Sequence, residues 1–493
     1  MATPNSDEDM RTIFKTLKDP LVNGSAARLG RLALPNRRPI DTPDYFGSTS
    51  RGAVPHMTPD NIVKHTEFCG VYIAIEDFLE HSRTRAYPAI YNINVEGREP
   101  LHAYTATPPH MATILGARRS PAVAAPMGNG RDYISIFTST GFQKLDTKSY
   151  HRAVEAVRPD IAIPLADLTF ADSKTYSNAK RQLRMVERTE DWLAEFFQLR
   201  DPEDRDSKTK HDAHIFAPLL PVDYPTQWEY INLLAQDYAQ KLSGLAVYDT
   251  NILPDLGEYS SLAGLPRLSL DIITSPHDIL RQVQLGIDLF TVPFLNTTSD
   301  AGIALTFVFP PPSNPAESIL PLGTDMWSQA HQTSLEPLAE ACECYACAKH
   351  HLAYLQHLLN AKEMLGWTLL QVHNHRVVSD FFSGVRASLS RGPEAFEEDC
   401  RRFSRVYDAE IPRGTGLRPR ARGYHFKSQG GEPKMNEAAW EKFAPDGAGD
   451  PTVSAEIAGL AVTGAAGEGK ETLVVPDGDA KELDKKGFAE IQH

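Results

Sequence analysis

No apolar run in this sequence reaches the roughly 18 residues a membrane-crossing helix requires, so no such span is expected. The opening stretch, MATPNSDEDMRTIFKTLKD, lacks an apolar h-region and is rich in acids. It therefore reads neither as a secretory signal nor as a transit peptide. Basic residues are in deficit: 50 Lys and Arg face 64 Asp and Glu, a formal net charge of -14. That balance excludes a whole-surface nucleic-acid footprint and leaves room only for a local basic patch. Cysteine is scarce as well. Only five are present, and three of them, Cys342, Cys344 and Cys347, fall within one short segment. Such clustering argues against a disulfide framework and for a metal in a reducing compartment. Cys69 and Cys400 read as ordinary free thiols.

The chain of 493 residues, 41% hydrophobic and 23% charged, is long enough to bury a large core. Eight short apolar runs read as strands: Ala53–Met57, Val71–Ile75, Ile134–Ser139, Ile161–Ala166, Ile215–Leu220, Gly244–Asp249, Arg267–Ile272 and Leu289–Pro293. Runs such as IAIPLA are apolar on both faces, as buried parallel strands are. Amphipathic segments lie between them, one opening with the N-cap and N1 pair Ser275-Pro276. The alternation predicts an α/β fold, a (β/α)₈ TIM barrel, with an open doubly wound sheet as the competing arrangement.

The predicted organisation is an N-terminal segment over 1–50, a barrel over 51–334 with insertions at 78–132 and 174–213, a helical zinc-binding subdomain over 335–408, and a disordered tail over 409–493. Residues 401–427 carry eight Lys and Arg against two acids, and residues 428–493 carry thirteen acids against six Lys.

The spacing Cys342-x-Cys344-x2-Cys347 brings three thiolates to one turn, and Zn²⁺ favours a tetrahedron of sulfur and nitrogen donors. A fourth ligand must come from elsewhere. His373 is reachable if two helices pack back to back, and His350, His351, His357 and His375 compete with it. Three thiolates and an imidazole would close the shell, which favours one structural zinc over a catalytic one.

The cysteine cluster resembles the zinc-binding end of the tRNA-guanine transglycosylases, and so do Ala353-Tyr354-Leu355-Gln356-His357-Leu358 and Leu369-Leu370-Gln371-Val372-His373-Asn374. These are (β/α)₈-barrel enzymes that exchange a guanine base at the wobble position of tRNA. The resemblance selects His373 as fourth ligand and leaves His357 as a helix residue. Thr138-Ser139-Thr140-Gly141-Phe142-Gln143 is similar to the family's D-S-G-G-F-Q. Pro159-Asp160-Ile161-Ala162 is similar to the start of its base-recognition strand. Gly286-Ile287-Asp288-Leu289-Phe290 is similar to its G-V-D-M-F. The likeness spans roughly residues 50–400.

Base exchange of this kind needs an Asp nucleophile at the ribose C1′ and a second Asp for proton transfer. By the resemblance those positions are Thr291 and Thr138, so no catalytic residue is expected. The base-recognising Asp aligns with Ala166, with Asp167 one residue on as a relic contact. Pro218-Leu219-Leu220-Pro221-Val222 stands where the family has I-V-Q-G-G, so Leu220 replaces an amide. Asp288 matches a non-catalytic family Asp, and Asp249 reads as a capping or surface residue.

The run Gly286–Phe294 and the later Gly302–Phe307 resemble the non-catalytic accessory subunits of the eukaryotic heterodimeric enzymes. The resemblance implies a catalytic partner subunit, tRNA with a GUN anticodon as substrate of the pair, and queuine insertion at position 34. Arg413, Arg418, Arg420, Arg422 and Lys427 form a basic run, read first as solvated and second as a phosphate contact. A cytoplasmic location is expected, with peripheral attachment to the mitochondrial outer membrane as an alternative. Three rival readings are a self-sufficient transglycosylase with relocated carboxylates, a zinc-stabilised tRNA-binding scaffold, and, more distantly, a zinc hydrolase built on a barrel.

Overall fold

The structure is a computed structural model, and it describes residues 13–18, 26–79, 88–123, 128–139, 141–168, 178–201, 213–312, 319–416 and 419. Eight parallel strands close into a barrel. Numbered along the chain they are β1 (Asp44–Ser48), β2 (Gly70–Ala74), β3 (Ala112–Gly116), β4 (Ile161–Ala162), β5 (His214–Leu219), β6 (Gly244–Val247), β7 (Arg267–Ser269) and β8 (Leu289–Thr291). Neighbours in sequence are neighbours in the ring. Closure comes from β8 on β1, with Leu289 opposite Asp44, Phe290 opposite Tyr45 and Thr291 opposite Phe46.

The barrel interior is a packed core, as short β-barrels require. Phe46, Tyr72, Ile114, Phe216, Leu268 and Leu289 fill it. Two glycines make room for these rings. A Cβ on Gly244 would stand 2.6 Å from the Phe216 ring, and one on Gly70 would stand 2.6 Å from Phe46. A three-stranded antiparallel sheet, Phe14–Lys18, Leu29–Leu32 and Ile40–Thr42, belongs to the same core through Phe14, Leu32 and Ile40.

Twelve α-helices are described: α1 (Pro59–His65), α2 (Pro100–Thr105), α3 (Thr147–Val157), α4 (Ala179–Arg200), α5 (Tyr224–Leu233), α6 (Ser260–Ala263), α7 (Pro276–Gln284), α8 (Pro293–Asp300), α9 (Tyr345–Lys349), α10 (Leu352–Asn360), α11 (Met364–Arg391) and α12 (Pro393–Val406). Ser275 caps α7, as its sequence implies, in a capping box with Asp278. The 28-residue α11 joins the two parts of the molecule. Its first half packs in a cluster with Cys344, Cys347, Leu355, Leu359 and Met326, and its second half lays Phe381 and Phe382 against the barrel. Tyr45 and Phe382 stack with centroids 5.4 Å apart. No described helix is long and apolar enough to cross a membrane.

The barrel and its helical metal subdomain agree with the sequence reading, but several strands do not. Ala53–Met57 is a loop with a single bridge between Ser50 and Ala53; the first barrel strand is β1, upstream of residue 51. Ile134–Thr138 is a strand, but it pairs antiparallel with Gly141–Leu145 in a hairpin outside the ring. The third barrel strand is β3, inside 78–132. Likewise α4, inside 174–213, buries Met185, Val186, Trp192, Leu193, Phe196 and Phe197 in the main core, so this stretch supplies a core helix. The charged stretch 202–212, and the tail beyond 419 with Arg420, Arg422 and Lys427, lie outside the described residues, as does Arg418. Residues 409–416 are ordered against the body. Thr415 hydroxyl donates to the Asp325 carboxylate over 2.6 Å, and Gly416 lies under the Trp327 ring.

Candidate metal centre and barrel mouth

Cys342 precedes α9, Cys344 is its N-cap and Cys347 sits in its first turns. The Cys344 sulfur accepts the Cys347 N–H at 3.4 Å, so the turn that starts the helix also gathers the thiols. His373 comes from the middle of α11 and is fully buried. Its Nδ1 lies 3.6 Å from the sulfurs of Cys342 and Cys344, and 3.4 Å from that of Cys347. All four ligand atoms lie within 4.8 Å of one another.

A tetrahedral ion about 2.3 Å from sulfur and about 2.0 Å from nitrogen sets S···N at about 3.5 Å. The observed separations match that value, so these residues fit a metal ion. The His373 Nε2 lies 2.8 Å from the Leu305 carbonyl. With Nε2 donating there, Nδ1 is left with its lone pair facing the sulfurs, the usual outer-shell device for a metal-binding imidazole. The next residue, Asn374, clamps the same strand: it accepts from Leu305 N–H at 2.8 Å and donates to the Ile303 carbonyl at 2.9 Å.

The other histidines lie outside this group. His351 caps α10, accepting the Tyr354 N–H at 3.2 Å. His350 stacks on Tyr354. His357 is on the exposed side of α10. His375 faces the barrel, with its Nδ1 3.0 Å from the Tyr45 hydroxyl, and burial pushes its pKa down to about 3.

The second candidate region is the C-terminal end of the barrel, where active sites of this fold are built. A cavity of about 490 Å³ opens there between Tyr72, Arg118, Arg119, Ser120, Tyr248, Leu270, Asp271 and Phe294. Thr291 ends β8, buried, with its hydroxyl 3.2 Å from that of Ser120 and 3.4 Å from the Ser269 carbonyl. Thr138 is elsewhere, at the turn of the hairpin. Its hydroxyl donates to the Gly141 carbonyl over 2.9 Å and accepts from the Gln143 amide at 3.1 Å.

The mouth holds ionic groups that the sequence reading did not single out. Arg119 follows β3 and donates to Asp77 over 2.7 Å and to the Phe137 carbonyl over 2.8 Å. Glu76 accepts the backbone N–H groups of Arg119 and Phe137, each at 2.9 Å. Burial nonetheless raises the Glu76 pKa against the pull of Arg119. Arg118 donates to the Leu168 and Ser135 carbonyls and to the Asn129 side chain. These contacts fasten the hairpin over the mouth. The only sequence signal for them was the charged doublets Glu76-Asp77 and Arg118-Arg119, placed just after apolar runs.

The remaining acids near the barrel are occupied. Asp167 is buried and holds Asn129 at 2.6 Å and Arg188 at 2.9 Å. Asp249 caps the turn at Thr250, accepting the Asn251 N–H at 2.9 Å. Asp288 precedes β8, at the opposite end from Thr291, and grips Arg28 with both oxygens at 2.9 and 2.6 Å. Leu220 is fully buried, its backbone held by Gln227, and Ala166 presents no polar group.

A closed parallel barrel carrying a C-terminal Cys₃His subdomain defines the class: a (β/α)₈ protein with a helical appendage positioned to bind a metal ion. The profile of the family described as Queuine tRNA-ribosyltransferase matches residues 23–409. The chain is 35% identical over 429 residues to the Queuine tRNA-ribosyltransferase accessory subunit 2 of Schizosaccharomyces pombe, covering 85% of this chain and 90% of that protein. It is 25% identical over 390 residues to the protein of the same name from Drosophila mojavensis, covering 75% and 88%. A third, from Drosophila persimilis, is 27% identical over 387 residues, covering 74% and 87%. The chain belongs to the queuine tRNA-ribosyltransferase family.

Proposed function

We propose that this chain is a non-catalytic accessory subunit that pairs with a catalytic tRNA-guanine transglycosylase subunit. The pair exchanges guanine for queuine at wobble position 34 of tRNAs with GUN anticodons. The observation that carries this reading is the barrel mouth. By the resemblance Thr291 takes the position of the family's nucleophilic carboxylate, and its hydroxyl's neighbours are a serine hydroxyl and a carbonyl oxygen. Neither neighbour is a base strong enough to activate a threonine at neutral pH. Thr138, at the other expected carboxylate position, is committed to a hairpin turn. The names of the relatives support the same role.

In this reading the ion is one structural Zn²⁺ held by Cys342, Cys344, Cys347 and His373. The three-sulfur, one-nitrogen donor set and the S···N spacing favour it. The zinc subdomain supplies a partner surface. Tyr345 and Tyr354 are 42% and 36% exposed, and a ladder of rings joins them through His350. Exposed aromatic side chains beside a rigid metal turn suit a subunit interface. The basic Arg413 is exposed and contributes to RNA affinity at most as a phosphate contact. The pair works in the cytoplasm, and peripheral attachment to the mitochondrial outer membrane remains compatible with it.

The test is base exchange into tRNA with labelled guanine, using this chain alone, the catalytic subunit alone and both together. Incorporation is expected only when the catalytic subunit is present, and to rise when this chain is added. Turnover by this chain alone would overturn the proposal and favour relocated carboxylates. Co-purification from native cells without any transglycosylase subunit would favour the scaffold reading.

A further inference from the structure

We propose that the first turns of α4 form an RNA-backbone contact surface, with Lys180, Arg181, Arg184 and Arg188 meeting phosphates beside the barrel mouth. The proposal deepens the pairing proposed above and rests on it for RNA as the occupant. The surface is a ridge of side chains. The backbone N–H groups of the helix start are not its basis, since Asn178 already accepts from the Lys180 N–H at 3.1 Å.

Topology sets the place. α4 follows β4, so its N-terminal end points toward the end of the barrel where the mouth lies. The Asp167 N–H, already beyond the end of β4, donates to the Thr189 hydroxyl over 2.9 Å. The helical residues 179–188, about 15 Å of helix, therefore continue outward past that rim. The loop carrying Asn129 ties this stretch to the mouth. Arg188 donates to the Asn129 carbonyl over 3.2 Å, and the Asn129 side chain accepts from the mouth residue Arg118 at 2.7 Å.

Charge marks the partner. Lys180, Arg184 and Arg188 are four residues apart and share one ridge, with Arg181 beside it. Lys180 and Arg184 are exposed, and Arg181 and Arg188 are half-buried. Asp167 answers Arg188 at 2.9 Å; among the described residues no acid pairs with Lys180 or Arg184. The acids of the helix, Glu187, Glu190, Asp191 and Glu195, all follow Arg184. Cations first and acids later is the reverse of what the helix dipole favours, and like charges at i, i+4 also oppose folding. This order costs the free protein stability, and a polyanion at the mouth end offsets it. Three of the four cations are arginines, whose forked guanidinium suits phosphate oxygens. A lipid surface fits less well, because a helix lying on one needs an apolar face. α4 turns Met185, Val186, Trp192 and Leu193 inward and leaves Leu183 as its one exposed large apolar residue.

The experiment titrates a fluorescein-labelled anticodon stem-loop RNA with the full chain, by anisotropy, over a range of salt. The test variant is Lys180→Glu with Arg184→Glu. The control is Arg98→Glu with Lys241→Glu, an equal charge change at exposed positions around the opposite end of the barrel. The test variant should bind at least tenfold more weakly near physiological salt, with a salt slope flatter by about 1.5. Its melting temperature should hold or rise, since acids suit the start of a helix. The control should bind like the wild type. Unchanged affinity and slope in the test variant, or an equal loss in the control, would overturn the proposal. So would binding to phosphatidylserine vesicles, lost in the test variant, without binding to the RNA. Pull-down with the catalytic subunit separates the two readings. RNA binding that depends on the ridge, in a chain that fails to pair, would sink the pairing and uphold the ridge; normal pairing with no effect of the ridge on RNA would do the reverse.

Discussion

Asp288 offers the sharpest test, because it is the acid nearest in sequence to Thr291 and is read as structural and not catalytic. In the structure it is fully buried and pairs with Arg28, whose side chain is 4% exposed. It also accepts the Arg267 N–H at 2.8 Å. Arg267 is itself buried, and burial together with repulsion from Arg28 pulls its pKa down to about 10, with Asp288 opposing the fall. Asp288→Ala therefore leaves the buried Arg28 guanidinium without its carboxylate and the Arg267 backbone N–H without its acceptor. Breaking a buried pair by removing one partner costs about 3–5 kcal/mol. Arg28 retains the Ala263 and Leu265 carbonyls, both at 2.6 Å, which holds the loss toward the lower end of that range. The double variant Arg28→Met, Asp288→Leu removes charge and countercharge together and should recover most of the loss. Urea denaturation followed by circular dichroism measures both, and the exchange assay with the catalytic subunit measures function. Asp288→Asn protein that remains folded should support exchange at the wild-type rate. A stability loss below about 1 kcal/mol for Asp288→Ala would refute the account of the pair. Abolished exchange by a folded Asp288→Asn complex would refute its structural role.

Three further outcomes are expected. Metal analysis of the reduced protein should find one equivalent of zinc, and a strong chelator or His373→Ala should lower the melting temperature and speed proteolysis around strand Ile303–Leu305, whose Leu305 carbonyl loses the imidazole. Thr291→Asp should give no exchange by this chain alone and should destabilise it by about 2 kcal/mol or more, since the new carboxylate would be buried against the Ser269 carbonyl. The Asp44 carboxyl is pushed up to about 6, by burial first and against the pull of Arg386, so its ionised form is disfavoured in the fold. That penalty is absent below about pH 4 and grows to about 3 kcal/mol as pH rises through 6; Asp44→Asn should flatten this part of the urea-midpoint profile.

What could be read from the sequence divides by the range of the interactions involved. The cysteine turn is local: three thiols within one short loop and the first turns of α9 must converge whatever else the chain does. The histidine is not local. His373 and His375 sit two residues apart on α11, so their side chains point about 200° apart. One meets the sulfurs and the other meets Tyr45. Spacing alone does not say which face of a helix turns toward which neighbour, and the family resemblance supplied that choice. Strand assignment failed for the same reason. Ile134–Thr138 and β3 are both short and buried, and only their partners differ: Gly141–Leu145 for one, β2 and β4 for the other. Those partners are set by closure of the barrel, which no window of sequence contains.

The mouth of the barrel shows how far substitution there reaches. Loss of one carboxylate would leave a pocket still shaped for a base. By the family resemblance, Thr291, Ala166 and Leu220 replace two carboxylates and an amide, while Arg118, Arg119, Glu76 and Asp77 bind the hairpin or one another. A buried polar group that binds its own protein adds to stability and is withdrawn from any substrate. The same bonds therefore explain why adding back a single carboxylate, as in Thr291→Asp, should not rebuild a catalyst: by the resemblance the second carboxylate position is Thr138, which belongs to the hairpin, and its hydroxyl already bonds Gly141 and Gln143.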